Sequence, residues 1–119
     1  MRYNPFGHSI DILRITHPEK FREFAELCAK LLPNTHATAL VLIADQRRTQ
    51  ALYTNFSSLI WRDAGALLNL LALVATAYRL GFCPLGMLGN HVVNALALCP
   101  EQAVGVGCAM IGRWTHHAV

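Results

Sequence analysis

The segment of residues 82–89, FCPLGMLG, could bring backbone N–H groups close to a planar ligand. Pro84 fixes the local backbone, while Gly86 and Gly89 carry no side chain that would block an approaching ring. Such N–H groups can meet the oxygen and nitrogen atoms of a flavin, whose reduced ring carries charge near N1 and hydrogen-bonds at N5. The same residues are also typical of an ordinary connection between a helix and a strand, so spacing alone leaves both interpretations open.

Other combinations of reactive side chains give weaker hypotheses. His91, His116 and His117 have no acidic or thiolate partner at a fixed spacing, so no metal site is predicted. Cys83 could act as a nucleophile with a histidine, but no oxyanion-type signature surrounds it. The carboxylates are not paired for acid/base work, and no glycine-rich Lys-Ser/Thr loop is present to hold a phosphate.

The composition indicates one domain with a surplus of apolar surface. The chain has 119 residues, of which 54% are hydrophobic and 14% charged. One small domain does not easily hide that much apolar surface, so we expect oligomerisation or a partner that covers one face. The net charge of +3 is mild, and Arg47-Arg48 is the only adjacent basic pair, which argues against nucleic-acid binding.

Neither a targeting segment nor a membrane span is predicted. The first residues form turn-rich sequence without an apolar stretch. The apolar run of residues 64–80 is interrupted by Asn69 and Arg79 and barely reaches spanning length. We therefore expect a cytoplasmic protein. Cys28, Cys99 and Cys108 lie in apolar contexts and are expected to be small buried thiols.

The first half of the chain predicts a strand, a helix and a second strand. Residues 8–15 indicate a strand, and a helix is expected to begin at Thr16 or His17, with Pro18 in its first turn and its end at Pro33. Residues 38–44 form a continuous apolar run, typical of a central strand covered on both faces. A polar bend is expected over residues 45–50, and residues 51–58 fit either a loop or the first turn of the next helix.

The second half predicts a long helix, the ligand loop, a short helix and a last strand. Residues 61–80 are apolar almost all round, which is typical of a helix buried on most sides, with Gly81 as its left-handed end. Asn90 is expected to cap a helix over residues 91–98. Residues 103–112 indicate a strand in which Gly105 and Gly107 allow a bulge or a close backbone approach. The order predicts a mixed α/β domain with helices packed on a small sheet.

The central segment RDAGALLNLLALVATAYRLGFCPLG resembles the SagB-type branch of the nitroreductase family, which includes FMN-dependent azoline dehydrogenases. The flanks add a weaker likeness, through Tyr3, Pro5, His8 and Leu13 at the start and Gly112 in the last strand. The resemblance covers nearly the whole chain but only the C-terminal part of the family domain. The central residues that fit the family pattern are Arg62, Asp63, Gly65, Leu67, Leu73, Ala75, Thr76, Ala77, Leu80, Gly81, Pro84 and Gly86.

The resemblance implies a nitroreductase-like three-layer fold, with a small mixed sheet around a long buried helix, in which residues 1–119 form a single half-domain. It also implies hydride transfer at flavin N5, on a peptide azoline or another small substrate, in a homodimer or a heteromer. Tyr53 stands near the family's catalytic lysine-tyrosine pair. The expected FMN-binding residues are Phe82, Cys83, Pro84, Leu85, Gly86 and Arg113.

Two departures from the family pattern keep a second hypothesis open. No arginine- and serine-rich phosphate motif precedes Tyr3, and no lysine accompanies Tyr53, since the only lysines are Lys20 and Lys30. The alternative is therefore a non-catalytic half-domain or partner subunit that keeps the fold and the dimer surface without flavin turnover.

Overall fold

The structure is a computed structural model that describes residues 1–33 and 36–113. It shows a mixed α+β arrangement with small antiparallel sheets and four helices, so the predicted mixture of helices and strands is confirmed. The elements in chain order are β1 (Arg2–Asn4), β2 (Ser9–Asp11), α1 (Pro18–Leu31), β3 (Thr38–Asp45), α2 (Gln46–Leu52), α3 (Phe56–Ala77), β4 (Leu80–Leu85), α4 (Asn90–Ala95) and β5 (Ala103–Arg113).

The larger sheet has the order β3-β5-β4, and both pairings are antiparallel. The last strand is therefore the central one, and the prediction that residues 38–44 form the central strand was wrong. Apolar residues do run without interruption along β3, but its middle residues are half-buried rather than buried. In contrast, β5 contains a run of buried residues from Gly105 to Met110.

The predicted irregularity at the glycines of β5 is confirmed. Leu42 pairs with Gly107 and Ile43 pairs with Gly105, which leaves Val106 as the extra residue of a β-bulge. A Cβ on Gly105 would lie 2.4 Å from the carbonyl oxygen of Leu88, so the backbone of the segment before α4 passes directly over the bulge. Only glycine allows this approach.

Helices lie against both faces of the larger sheet. A Cβ on Gly107 would lie 3.0 Å from Cδ1 of Leu68, so this position faces α3. The next residue, Cys108, is in one buried cluster with Phe24 and Cys28 of α1. Because neighbouring residues of a strand point to opposite faces, α3 covers one face and α1 the other.

Helix α1 follows its prediction. His17 lies at its N-terminal cap position and Pro18 in its first turn, where a missing N–H costs nothing. The N–H groups of Thr16 and His17 both donate to the carbonyl oxygen of Ala95, at 2.8 and 2.9 Å. These bonds tie the start of α1 to the end of α4.

A helix occupies residues that were predicted to be a polar bend. Asp45 caps α2 by accepting a hydrogen bond from the Arg47 backbone N–H at 3.1 Å, and the Arg47 guanidinium bonds the same carboxylate. This guanidinium lowers the pKa of Asp45 to about 2. The N-capping preference of aspartate explains why these polar residues begin a helix.

The ends of three other elements differ from prediction. Helix α3 begins at Phe56 and ends at Ala77, and the left-handed residue after it is Arg79, with φ 56°, whereas Gly81 lies inside β4. Gly89, with φ 90°, precedes α4 in place of Asn90. The first predicted strand is limited to the short β2.

The N-terminal residues form a separate two-stranded hairpin. Tyr3 of β1 pairs with Ile10 of β2, and the Tyr3 hydroxyl lies 2.7 Å from Nδ1 of His8. Arg2 and Asp11 form an ion pair of 2.8 Å. Tyr3 and Ile10 are exposed, so the apolar side of the hairpin is uncovered.

Helix α3 is far less buried than its sequence indicated. Only Ile60, Ala64 and Ala75 are buried, on the side that packs against the sheet. Most of the remaining large apolar residues of the helix are exposed. The prediction of burial on most sides was therefore wrong for a single chain, because one sheet covers one side of a helix.

Candidate functional site

The predicted ligand loop is mostly a strand. Residues 80–85 form β4, which pairs with β5 from Leu80 opposite Arg113 to Leu85 opposite Cys108. The loop prediction was wrong for residues 82–85 because the left-handed Arg79 turns the chain back at once, and the apolar residues then continue the sheet. The connection to α4 begins only at Gly86.

Strand β4 lies at an open edge of the sheet. It is bonded to β5 on one side, and no described strand lies on its other side. An edge strand presents a row of backbone N–H and C=O groups without strand partners. Pro84 is exposed and is tolerated here, since proline is found on edge strands where an N–H is not needed for the ladder.

The side chains of β4 alternate between the two faces. Leu85 packs against the cluster of Cys28, Cys108 and Met110 on the α1 face. Cys83 is two residues away and opposite Met110, so it points to the same face. Phe82 and Pro84 point to the α3 face. All of these residues are half-buried except Pro84, which is exposed.

Gly86 ends the strand in open space. It is exposed, and a Cβ built on it would have no described atom within 4 Å. The fold therefore does not require glycine at this position for packing. A ligand could approach this backbone closely only while no side chain is present.

Arg113 is the last residue of the central strand β5 and lies beside the first residue of β4. It is exposed and pairs with Leu80, five residues before Leu85 along β4. At the rise of an antiparallel strand, this separates the two ends by roughly 17 Å. The structure thus places residues 82–85 on the edge strand β4, with an exposed glycine after its last residue and the cation of Arg113 on the neighbouring central strand, beside its first residue.

Tyr53 is not brought to this edge within one chain. It follows α2 as its C-terminal cap residue, is exposed, and stands before the start of α3. Helix α3 has 22 residues, or about 33 Å at the standard helical rise. Strand β4 begins only beyond the far end of that helix, so most of the helix separates Tyr53 from Phe82.

The cysteines divide into buried and accessible thiols. Cys28 and Cys108 are buried, as predicted, and burial raises the pKa of both thiols, that of Cys108 to about 11. Cys99 was expected to be buried but is exposed. Its thiol donates a 2.8 Å hydrogen bond to the Glu101 carboxylate, which lowers the pKa of Glu101. This pair is two residues apart in a turn, and sequence reasoning missed it.

Two further features bear on metal binding and on membrane insertion, neither of which the sequence predicts. Within residues 1–33 and 36–113, no group of three or more metal-ligating side chains comes together, and His116 and His117 lie outside these ranges. Helix α3 is long and apolar enough to cross a membrane by length and composition alone. That is weak evidence, since core helices of soluble proteins meet the same criterion.

No protein-family model matches the chain, and no curated protein is significantly similar to it. A functional interpretation therefore depends on the motif around residues 62–86 and on the geometry of the β4 edge.

Proposed function

We propose that this chain is a subunit of an FMN-dependent oxidoreductase with a nitroreductase-like three-layer fold, similar to SagB-type dehydrogenases. The observation that carries the proposal is the open edge of β4, where Phe82, Cys83, Pro84 and Leu85 lead to an exposed Gly86. FMN would lie along this edge, with its ring beside Gly86.

The chemistry of the edge suits a flavin ring. Unpaired backbone N–H groups can donate to ring oxygen and nitrogen atoms, and unpaired carbonyl groups can accept from the ring N–H. When bound, the flavin supplies hydride chemistry at N5, while the protein orients the ring and sets its electrostatic surroundings. The line of the edge, roughly 17 Å from Leu80 to Leu85, matches an elongated ligand better than a compact one.

Arg113 is assigned to the anionic end of the cofactor. Its guanidinium is exposed and makes no ion pair within the described part of the chain. It is free to hold a phosphate, which arginine binds with two parallel hydrogen bonds. Tyr53 is assigned to proton transfer in a site completed by a second chain, because within one chain it stands too far from β4.

The alternative of a non-catalytic partner subunit has its own support. No lysine stands near Tyr53 in the sequence, since the only lysines, Lys20 and Lys30, lie on α1. Lys20 is already paired with Glu23 at 3.0 Å, and α1 covers the sheet face opposite α3. A subunit of this kind would bind FMN weakly or not at all unless its partner were present.

The free cysteines bear on the cellular compartment of the protein. We place it in the cytoplasm, with no membrane or nucleic-acid partner. All four cysteines are free, which suits a reducing compartment.

The test is an FMN titration of the purified protein, followed by flavin absorbance and by quenching of flavin fluorescence. Saturable binding is expected for the wild type and strongly weakened binding for Gly86→Val, since its side chain fills the space the ring requires. Gly65→Val is the matched control, because Gly65 on α3 also has open space around it. A wild-type protein that neither colours nor quenches FMN rules out the flavin proposal for this chain alone and favours the partner-subunit alternative.

A further inference from the structure

Strand β3 forms the second edge of the larger sheet, and its outer side is open. It pairs with β5 from Thr38 to Asp45, and no described strand lies on its other side. In an edge strand, part of the backbone N–H and C=O groups point away from the one neighbouring strand. These groups can bond a further strand.

Two features that usually block strand addition are absent from the β3 edge. Natural edge strands are often protected by a charged residue or by proline, and residues 38–44, TALVLIA, contain neither. At eight residues, β3 is also longer than the average strand of about 5–6 residues. The β4 edge differs, because the exposed Pro84 has no N–H to donate. Of the two edges, β3 is the better acceptor for a strand.

An apolar groove lies beside the β3 edge, between this strand and helix α1. Its volume is about 240 Å³, and none of the described side chains that line it is charged. Alanines line both of its walls, namely Ala25 and Ala29 on α1 and Ala37 and Ala39 on the β3 side. Because an alanine side chain is short, the helix and the strand leave room between them.

The groove is accessible and has the length of a short peptide. Ala25 and Ala29 are exposed, and Phe21, which also lines the groove, is 42% exposed. The lining residues on the helix extend from Phe21 to Leu32, which is roughly 16 Å at the helical rise. An extended chain covers this length with about five residues.

The combination of edge and groove specifies an extended peptide as the ligand. The side chains of Ala39 and Val41 lie on the α1 face of the sheet, since both pack against the buried cluster that contains Cys28. In a strand added beside β3, every second side chain would point to this same face and enter the groove. The uncharged lining requires those side chains to be apolar.

A small organic molecule fits this place less well. Sites for such molecules usually have volumes of about 300–1,000 Å³ and a few polar side chains that orient the ligand. The groove is smaller than this, and its uncharged walls offer little to orient a ligand. The polar groups nearest to it belong to the backbone of β3, and a peptide backbone is their natural partner.

We propose that β3 binds an extended segment of another polypeptide as an additional strand of the sheet. Apolar side chains at every second position of that segment lie in the groove beside α1. Strand β5 separates this site from the β4 edge assigned to FMN, so the inference does not depend on flavin binding.

The test is a titration of fluorescein-labelled peptides with the full chain, followed by fluorescence anisotropy. In each peptide, threonine alternates with valine, leucine or phenylalanine over about seven residues, with a lysine at each end for solubility. Saturable binding of at least one peptide is expected. The same peptide with N-methyl groups on two neighbouring residues should not bind, because methylation blocks the hydrogen bonds of both its edges.

A matched pair of variants tests the groove. Ala29→Glu places a carboxylate on the groove wall and should weaken peptide binding at least about tenfold, since apolar side chains would cover the charge. Ala66→Glu adds the same charge to α3, on the other face of the sheet, and should leave binding unchanged. Both alanines are exposed helix residues, and far-UV circular dichroism confirms that both variants are folded.

Hydrogen–deuterium exchange locates the bound peptide. Binding should slow amide exchange in residues 38–45 and leave residues 80–85 unchanged. Any of four results would overturn the proposal: no binding by any of the peptides, equal binding of the N-methylated peptide, unchanged affinity in Ala29→Glu, or slowing at residues 80–85 instead. A wild type of doubled molar mass, with residues 38–45 already protected before peptide is added, would assign the edge to a second copy and also overturn it.

Discussion

The backbone N–H of Gly105 donates a hydrogen bond of 2.9 Å to the side-chain oxygen of Asn90. A Cβ on Gly105 would lie only 2.8 Å from the backbone nitrogen of Asn90. The bulge of β5 and the first residue of α4 are therefore held against each other by one hydrogen bond and by the absence of one side chain. This contact fixes where the connection after β4 must pass, and so it fixes the end of the proposed flavin edge.

Gly105→Ala should destabilise the fold strongly. The new methyl group would meet backbone atoms of Leu88 and Asn90, which cannot move aside as a flexible side chain can. Overpacking of this kind costs about 1–3 kcal/mol. Urea denaturation followed by circular dichroism measures the change.

Gly65→Ala is the matched control for that substitution. Gly65 lies inside α3 with nothing near its missing side chain, so alanine should stabilise the protein by roughly 0.5–1 kcal/mol through its helix preference. Equal effects of the two substitutions would show that the close approach at the bulge is not a constraint.

Asn90→Ala should also lower stability, because the Gly105 N–H then loses its acceptor. An unsatisfied, partly buried N–H costs about 1–3 kcal/mol. Asn90→Asp keeps an oxygen in the same place and should retain most of the stability. Thermal unfolding compares the stability of the wild type and the two variants. If Asn90→Ala were as stable as Asn90→Asp, this hydrogen bond would not stabilise the fold.

Stability should fall in alkaline solution as the unfolded chain ionises Cys108. Burial raises the pKa of this thiol to about 11, from 9.0 for an ordinary cysteine thiol. Between these two values the unfolded state has released the proton and the folded state still holds it, so the free energy of unfolding decreases as pH rises. Cys108→Ala should remove this part of the decline, which urea denaturation at a series of pH values detects. An unchanged slope in the variant would assign the decline to other groups.

The elements that sequence predicted well are those with local signals. Pro18 marks the start of α1, and Gly105 and Gly107 mark the bulge, because each residue acts through its own backbone. Asp45 is also a typical residue for the start of a helix. Helix α2 was nevertheless not predicted, because this short polar helix has no apolar stripe in its sequence.

The errors concern relations between distant segments. An apolar run shows that β3 belongs to a sheet, but its position at the edge is decided by β5, which joins the chain last. Similarly, the apolar sequence of α3 does not tell whether its second face meets the same chain or another. Its burial was therefore overestimated.

The residues of the candidate site were predicted to form a loop, whereas residues 82–85 belong to the edge strand β4 and Arg113 ends the neighbouring strand β5. The turn at Arg79 could not be predicted from sequence, because arginine rarely adopts a left-handed backbone conformation. Gly81, two residues later, adopts this conformation readily and was therefore the expected position. The distance from Tyr53 to the edge follows from the length of α3, which depends on where that helix begins.

The measurement that tests the flavin site most directly is hydrogen–deuterium exchange of the full chain with and without saturating FMN. An edge strand leaves part of its N–H groups without strand partners, so these amides exchange quickly in the free protein. Bound FMN should slow exchange in the peptide that contains Phe82, Cys83, Leu85 and Gly86, and this slowing should be absent in Gly86→Val. Unchanged exchange across β4 under conditions where FMN is bound would contradict the account.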